Sequence, residues 1–229
     1  MSDSGFMELS QKLKPLTWLI KVSYCIDLDD LETYCTGFAL NVDKKAMGDS
    51  VKENDLVIMT CAHSFPQSIH NITVRRLEEI GFEWEAEKLF MKTSLDIALL
   101  VVKGADSGSN YAEFVDNGTI SSCQRLLQKH LNAHIPIIQC AGFLCRHGCS
   151  GGPVFNSHGK VVGMLVGDFD ACQIAIHVTM LKDFVKEFVE LRSIAQGSSS
   201  SDVEKKGKQL LGGGLGTKEA LKQNKRKNR

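Results

Sequence analysis

Leu95-Asp96-Ile97-Ala98-Leu99-Leu100-Val101-Val102 sets an aspartate directly before six aliphatic residues, with Gly104 shortly after. The run is far shorter than the ~18 apolar residues of a membrane span, and polar residues and a glycine bound it, so residues 97–102 read as a β-strand. On its N-terminal side, residues 17–24, 33–42, 55–61, 71–76 and 82–91 are rich in β-branched, aromatic and aliphatic types and alternate with Asp, Asn, Gly and Ser clusters. Six strands therefore fit before residue 105. A second group covers 135–141, 153–156, 161–166 and 172–178, with a hairpin turn at 156–159, and residues 104–118 read as a loop crossing between the groups. Short strands at regular spacing predict an all-β sandwich or barrels rather than an α/β sheet.

One helix closes this body. Over 179–192, Met180, Leu181, Phe184, Val185, Phe188 and Leu191 recur at helical spacing between charged residues, and Thr179 is placed to cap the start. Beyond it, residues 196–201 are a Gly/Ser linker, and 195–229 read as a flexible basic tail.

Across its 229 residues the chain is 43% hydrophobic and 24% charged, with 27 basic and 27 acidic side chains. Collagen-like, strongly disordered and wholly nucleic-acid-binding compositions are excluded. The zero net charge conceals an asymmetry, because from residue 198 onward nine Lys or Arg face three acidic residues, so a +6 tail follows a −6 body. A tail of this kind is expected to be solvated, or to make weak nonspecific contacts with nucleic acid or an import receptor. No apolar run is long enough to span a membrane, and Met1-Ser2-Asp3-Ser4-Gly5 lacks a secretory layout, which predicts an intracellular protein, cytoplasmic or nuclear.

In that setting the eight cysteines are expected to be reduced thiols. Cys140, Cys145, His147 and Cys149 are the one metal-like cluster, but their spacing lacks paired C-x-x-C knuckles, so neither metal nor cofactor is expected.

Three segments occur in a telling order: Thr60-Cys61-Ala62-His63 at the end of a strand, Leu95-Asp96-Ile97-Ala98 at the start of one, and Gly148-Cys149-Ser150-Gly151-Gly152-Pro153 in a turn. Taken singly, each has an ordinary explanation as a surface histidine, a strand cap and a turn. Together they resemble the trypsin-like (chymotrypsin-fold) serine proteases over residues 17–190. Departures point toward the HtrA/Deg-like branch or viral relatives: Cys149 stands where zymogen-activated members carry Asp, and Ser64 where secreted members carry Cys. No activation segment or PDZ domain is expected in the chain.

The resemblance implies Ser150 as nucleophile, His63 as general base and then acid, and Asp96 as the group orienting His63. The chemistry needs these residue types, since a hydroxyl attacks only when an imidazole takes its proton and a carboxylate stabilises the charged imidazole. It also implies an oxyanion hole from the N–H groups of Gly148 and Ser150. Leu144, Leu165, Val166 and Gly167 would contact the substrate, with an apolar or small residue preferred before the scissile bond. Cys149 is one position out of register for the nucleophile.

The expectation is thus two chymotrypsin-like β-barrels, about 17–104 and 110–178, after a short segment 1–16 and before the helix 179–192, the protease domain spanning 17–194. Only 54 positions separate Asp96 from Ser150, so the second barrel is expected to be shortened or rebuilt. The function expected is serine endopeptidase action on protein or peptide substrates; the alternative is a weakly catalytic, protease-like peptide-binding or scaffolding protein. Oligomeric state is not legible.

Overall fold

The computed structural model describes residues 3–79, 81–106, 110–116, 136–140, 146–169 and 172–197. Strands β1 (Thr17–Ile26), β2 (Asp29–Ala39), β3 (Leu56–Thr60), β4 (Ile69–Arg76), β5 (Trp84–Lys92) and β6 (Ile97–Val102) close a six-stranded barrel in the order β1-β2-β3-β6-β5-β4, every neighbour antiparallel. All six coincide with expected strands to within a few residues. Alternation builds the core: Trp18, Ile20 and Val22 of β1 are buried and their neighbours are not. β3 and β6 are buried at every position, as their unbroken apolar runs require. β1 turns into β2 through Asp27 and Leu28, both with positive φ (50° and 75°), the geometry of a two-residue hairpin matched to strand twist.

Strands β7 (Ile137–Cys140), β8 (Pro153–Phe155), β9 (Val161–Phe169) and β10 (Cys172–His177) form a four-stranded antiparallel sheet in the order β7-β10-β9-β8. Among the described residues this sheet is open. The four strands fall where the second barrel is expected, and they do not close into one among the described residues; the 123–131 segment, readable as helix or strand, lies outside the described residues, as does the basic tail from 198. At the expected 156–159 turn, Gly159 N–H bonds the Asn156 carbonyl at 3.0 Å. The crossing loop stitches the two sheets. Ala112 N–H reaches Ala39 O at 2.8 Å, and Val161 N–H reaches Glu113 O at 2.8 Å.

Two helices flank the strands. Helix α1 (Asp3–Leu13) arises where only an N-terminal segment was expected. Its Leu9 and Leu13, four apart, lie close to Gly159 in the β8–β9 turn, where a side-chain carbon would meet them at 3.5 and 3.4 Å. Helix α2 (Val178–Gly197) begins one residue before the expected Thr179 cap. Instead, His177 Nδ1 accepts the Thr179 N–H at 3.3 Å. Burial holds the His177 pKa down, which keeps that nitrogen available as an acceptor. α2 adds Leu181, Phe184 and Phe188 to the main core, and Phe184 and Phe188 pack on Phe90 of β5 with ring centroids 4.9 and 5.3 Å apart.

The chain is thus β-rich with a closed six-stranded barrel and a C-terminal helix, compatible with a chymotrypsin-like fold. No helix among the described residues is long and apolar enough to cross a membrane. All six cysteines in the described residues are free thiols.

Candidate active site

Asp96 and His63 are brought together by the pairing of β3 with β6. His63 follows the end of β3, and Asp96 precedes β6 in a left-handed conformation (φ 56°) that Asp tolerates better than most residues. One carboxylate oxygen, Oδ1, accepts the backbone N–H groups of Ala62 at 2.9 Å and His63 at 2.7 Å. The other, Oδ2, lies 2.7 Å from His63 Nδ1. One side chain therefore holds both the backbone and the ring of the histidine.

A carboxylate can only accept, so Nδ1 carries the hydrogen toward Asp96, and Nε2 is the nitrogen that takes up or gives up the ring's second proton. Asp96 is 13% exposed in its side chain and His63 46%, so the acid sits behind a histidine that faces solvent. The hydrogen bond that His63 donates to Asp96 is the largest cause raising the His63 pKa from its ordinary value to about 10. Cys61 Sγ lies 3.8 Å from His63 Nε2. Contact with Cys35 and burial push the Cys61 thiol well above its usual range, so it stays neutral.

Ser150 belongs to a turn pinned from both sheets. Within the turn, Cys149 N–H donates to Arg146 O at 3.1 Å and Gly152 N–H to Cys149 O at 3.0 Å. The barrel holds it through Thr36, whose N–H donates to Ser150 O at 2.8 Å and whose Oγ1 donates to Gly148 O at 2.5 Å. The second sheet holds it through Leu165, whose O accepts Gly151 N–H at 2.7 Å and whose N–H donates to Gly152 O at 2.8 Å.

Glycine is required at 151 twice over. Its φ is 84°, and a side-chain carbon there would fall 2.1 Å from Thr36 O. Gly148 has φ 96°. Among the described residues the N–H groups of Gly148 and Ser150 donate to no backbone acceptor.

His63, Gly148, Cys149 and Ser150 line one open groove of about 1300 Å³. Leu165 and Gly167 also line it. Val166, pointing the other way from the same strand, packs against the core and is absent from the lining, because strand neighbours face opposite sides. Leu144 lies outside the described residues.

Sequence reasoning missed the far walls of the groove: Tyr24, Ile26, Glu32 and Tyr34 from the β1–β2 hairpin, and the opposed pair Asp168 and Gln173 from β9 and β10. Alternation through Tyr24 and Ile26 was a usable signal for the hairpin. Glu32 and Asp168 add two carboxylates to a lining that also holds Arg146. Of the metal-like cluster, Cys145 lies outside the described residues, and Cys140, His147 and Cys149 do not converge as a ligand set among them. No protein-family model matches the chain, and no curated protein matches it.

Proposed function

We propose that the protein is a serine endopeptidase. The observation that supports this reading is the convergence on one groove of His63, oriented by Asp96, with Ser150, whose N–H, like that of Gly148, has no backbone acceptor among the described residues. In this reaction Ser150 Oγ attacks the carbonyl carbon of a bound peptide as its proton passes to His63 Nε2. The carbonyl oxygen gains negative charge, which the N–H groups of Gly148 and Ser150 stabilise. His63 then gives the proton to the departing amine, leaving an ester on Ser150. Water, deprotonated by His63, hydrolyses the ester and restores the enzyme. Asp96 remains a carboxylate throughout and stabilises the imidazolium. No step calls for a metal or cofactor.

The test is covalent labelling by a fluorophosphonate, which needs nucleophile, base and anion site together but no knowledge of the natural substrate. Labelling lost in both Ser150→Ala and His63→Ala supports the proposal; a folded wild-type protein that never labels, at any pH up to about 10, overturns it. A second reading, a peptide-binding module without turnover, draws on the open second sheet. Peptide binding unaffected by Ser150→Ala, with no cleavage, would favour it.

A further inference from the structure

Among the described residues, one set of three metal-ligating side chains converges, and it lies apart from the residues assigned to the reaction. Cys25, Asp30 and His70 place a thiol sulfur, a carboxylate oxygen and an imidazole nitrogen all within 4.8 Å of one another. We propose that these residues form a divalent zinc site that clamps the β1–β2 hairpin to β4.

The backbone prepares the three donors. Cys25 and Asp30 are direct cross-strand partners in the β1–β2 ladder, so their side chains leave the same face of the hairpin. On β4 the register with β1 shifts: Ser23 pairs with Asn71 and Tyr24 with Ile69, so His70 is the extra residue of a bulge. A bulge turns a side chain out of the strand's ordinary alternation, and here it brings His70 Nε2 to 3.5 Å from Asp30 Oδ1. Two hydrogen bonds pin Cys25 to the approach of β4: its N–H donates to Ser68 O at 3.2 Å, and its carbonyl accepts Ser68 Oγ at 2.6 Å. Cys25 and Asp30 thus stand on paired backbone, and His70 on the bulge beside them.

The donor set selects the ion. Thiolate, imidazole and carboxylate together suit borderline-soft zinc, whereas calcium and magnesium take oxygen ligands. Bond lengths of about 2.0 to 2.3 Å place tetrahedral zinc ligands about 3.3 to 3.8 Å apart, so closure from the present spacing takes side-chain movements of about 1 Å. Three protein ligands leave the fourth position to water. Binding releases the Cys25 proton to solvent, so affinity rises with pH.

The site matters to the groove because the hairpin that carries Cys25 and Asp30 also supplies Tyr24, Ile26 and Tyr34 to the groove wall. Zinc would fix that wall against β4. This inference does not depend on the peptidase reading.

The test is titration of the full chain, purified metal-free, with Zn²⁺ by calorimetry and with Co²⁺ by absorption. Expected are one equivalent bound, a thiolate-to-cobalt charge-transfer band, and a zinc-dependent rise in thermal midpoint. Cys25→Ser should abolish the charge-transfer band, and His70→Asn should weaken binding by more than about tenfold, while Cys172→Ser leaves both unchanged. Both side chains reach the surface, and circular dichroism of the metal-free variants confirms that they fold. Absence of stoichiometric binding, or binding retained by Cys25→Ser and His70→Asn, overturns the proposal.

Discussion

Thr36 donates its backbone N–H to the carbonyl of Ser150 across 2.8 Å, joining β2 of the barrel to the turn that leads into the second sheet. The same residue donates its hydroxyl to Gly148 O at 2.5 Å. Thr36 therefore fixes the peptide units on either side of the proposed nucleophile. Replacing it by valine removes the hydroxyl while keeping the shape. Thr36→Val is expected to cost about 1 kcal/mol in denaturant unfolding and to slow fluorophosphonate labelling by about tenfold, less than the ~100-fold that follows loss of an oxyanion donor. Unchanged labelling would show that the Gly148 carbonyl needs no such anchor.

Gly151 meets the same strand from the other side. An added methyl would lie 2.1 Å from Thr36 O and 2.3 Å from Thr60 Oγ1, both parts of the barrel wall, and the positive φ is itself unfavourable for alanine. Gly151→Ala should destabilise the fold by about 2 to 4 kcal/mol and abolish labelling even where the protein remains folded. A variant of native stability and reactivity would refute the close approach of the two sheets.

The pair of His63 with Asp96 makes a pH prediction. Because the folded pKa of His63 is raised to about 10, its proposed base form accumulates only as pH climbs, and labelling should increase from neutral pH toward that value. Asp96→Asn should shift the inflection to lower pH and reduce the maximal rate about 10⁴-fold. For stability the sign is opposite. A raised folded pKa stabilises fully below the unfolded value of about 6.5 and the benefit fades as pH passes through about 10, so denaturation midpoints of wild type and Asp96→Asn should converge at high pH.

Helix α2 is tied to the barrel by aromatic packing, and Phe184 is fully buried against Phe90. Truncation leaves a cavity that rigid strands cannot fill. Phe184→Ala should lower unfolding free energy by about 3 to 5 kcal/mol, measured by urea denaturation, with the labelling rate of the folded fraction little changed. A loss under 1 kcal/mol would mean that the helix is not docked as described.

Much of the fold could be read locally. Strand periodicity located the ten strands of the described residues, since a strand's alternation or unbroken apolar run is written in consecutive residues, as in Ile97–Val102. Helix α1 escaped notice because its packing partner, the turn at Gly159, is distant in sequence. The cap of α2 lies at His177, two residues before the expected Thr179, and its imidazole accepts there because burial keeps it neutral.

The candidate site divides in the same way. His63, Asp96 and Ser150 stood out through the resemblance of three ordered motifs to those of trypsin-like proteases, and each motif is a run of consecutive residues. Which groups surround them was decided by tertiary structure alone. Thr36 behind Ser150, the hairpin wall of Tyr24 and Ile26, Asp168 in the groove and the bulge that sets His70 beside Cys25 all depend on strand register and on the approach of two sheets. Those contacts join residues remote along the chain, and a sequence carries no period that reports them.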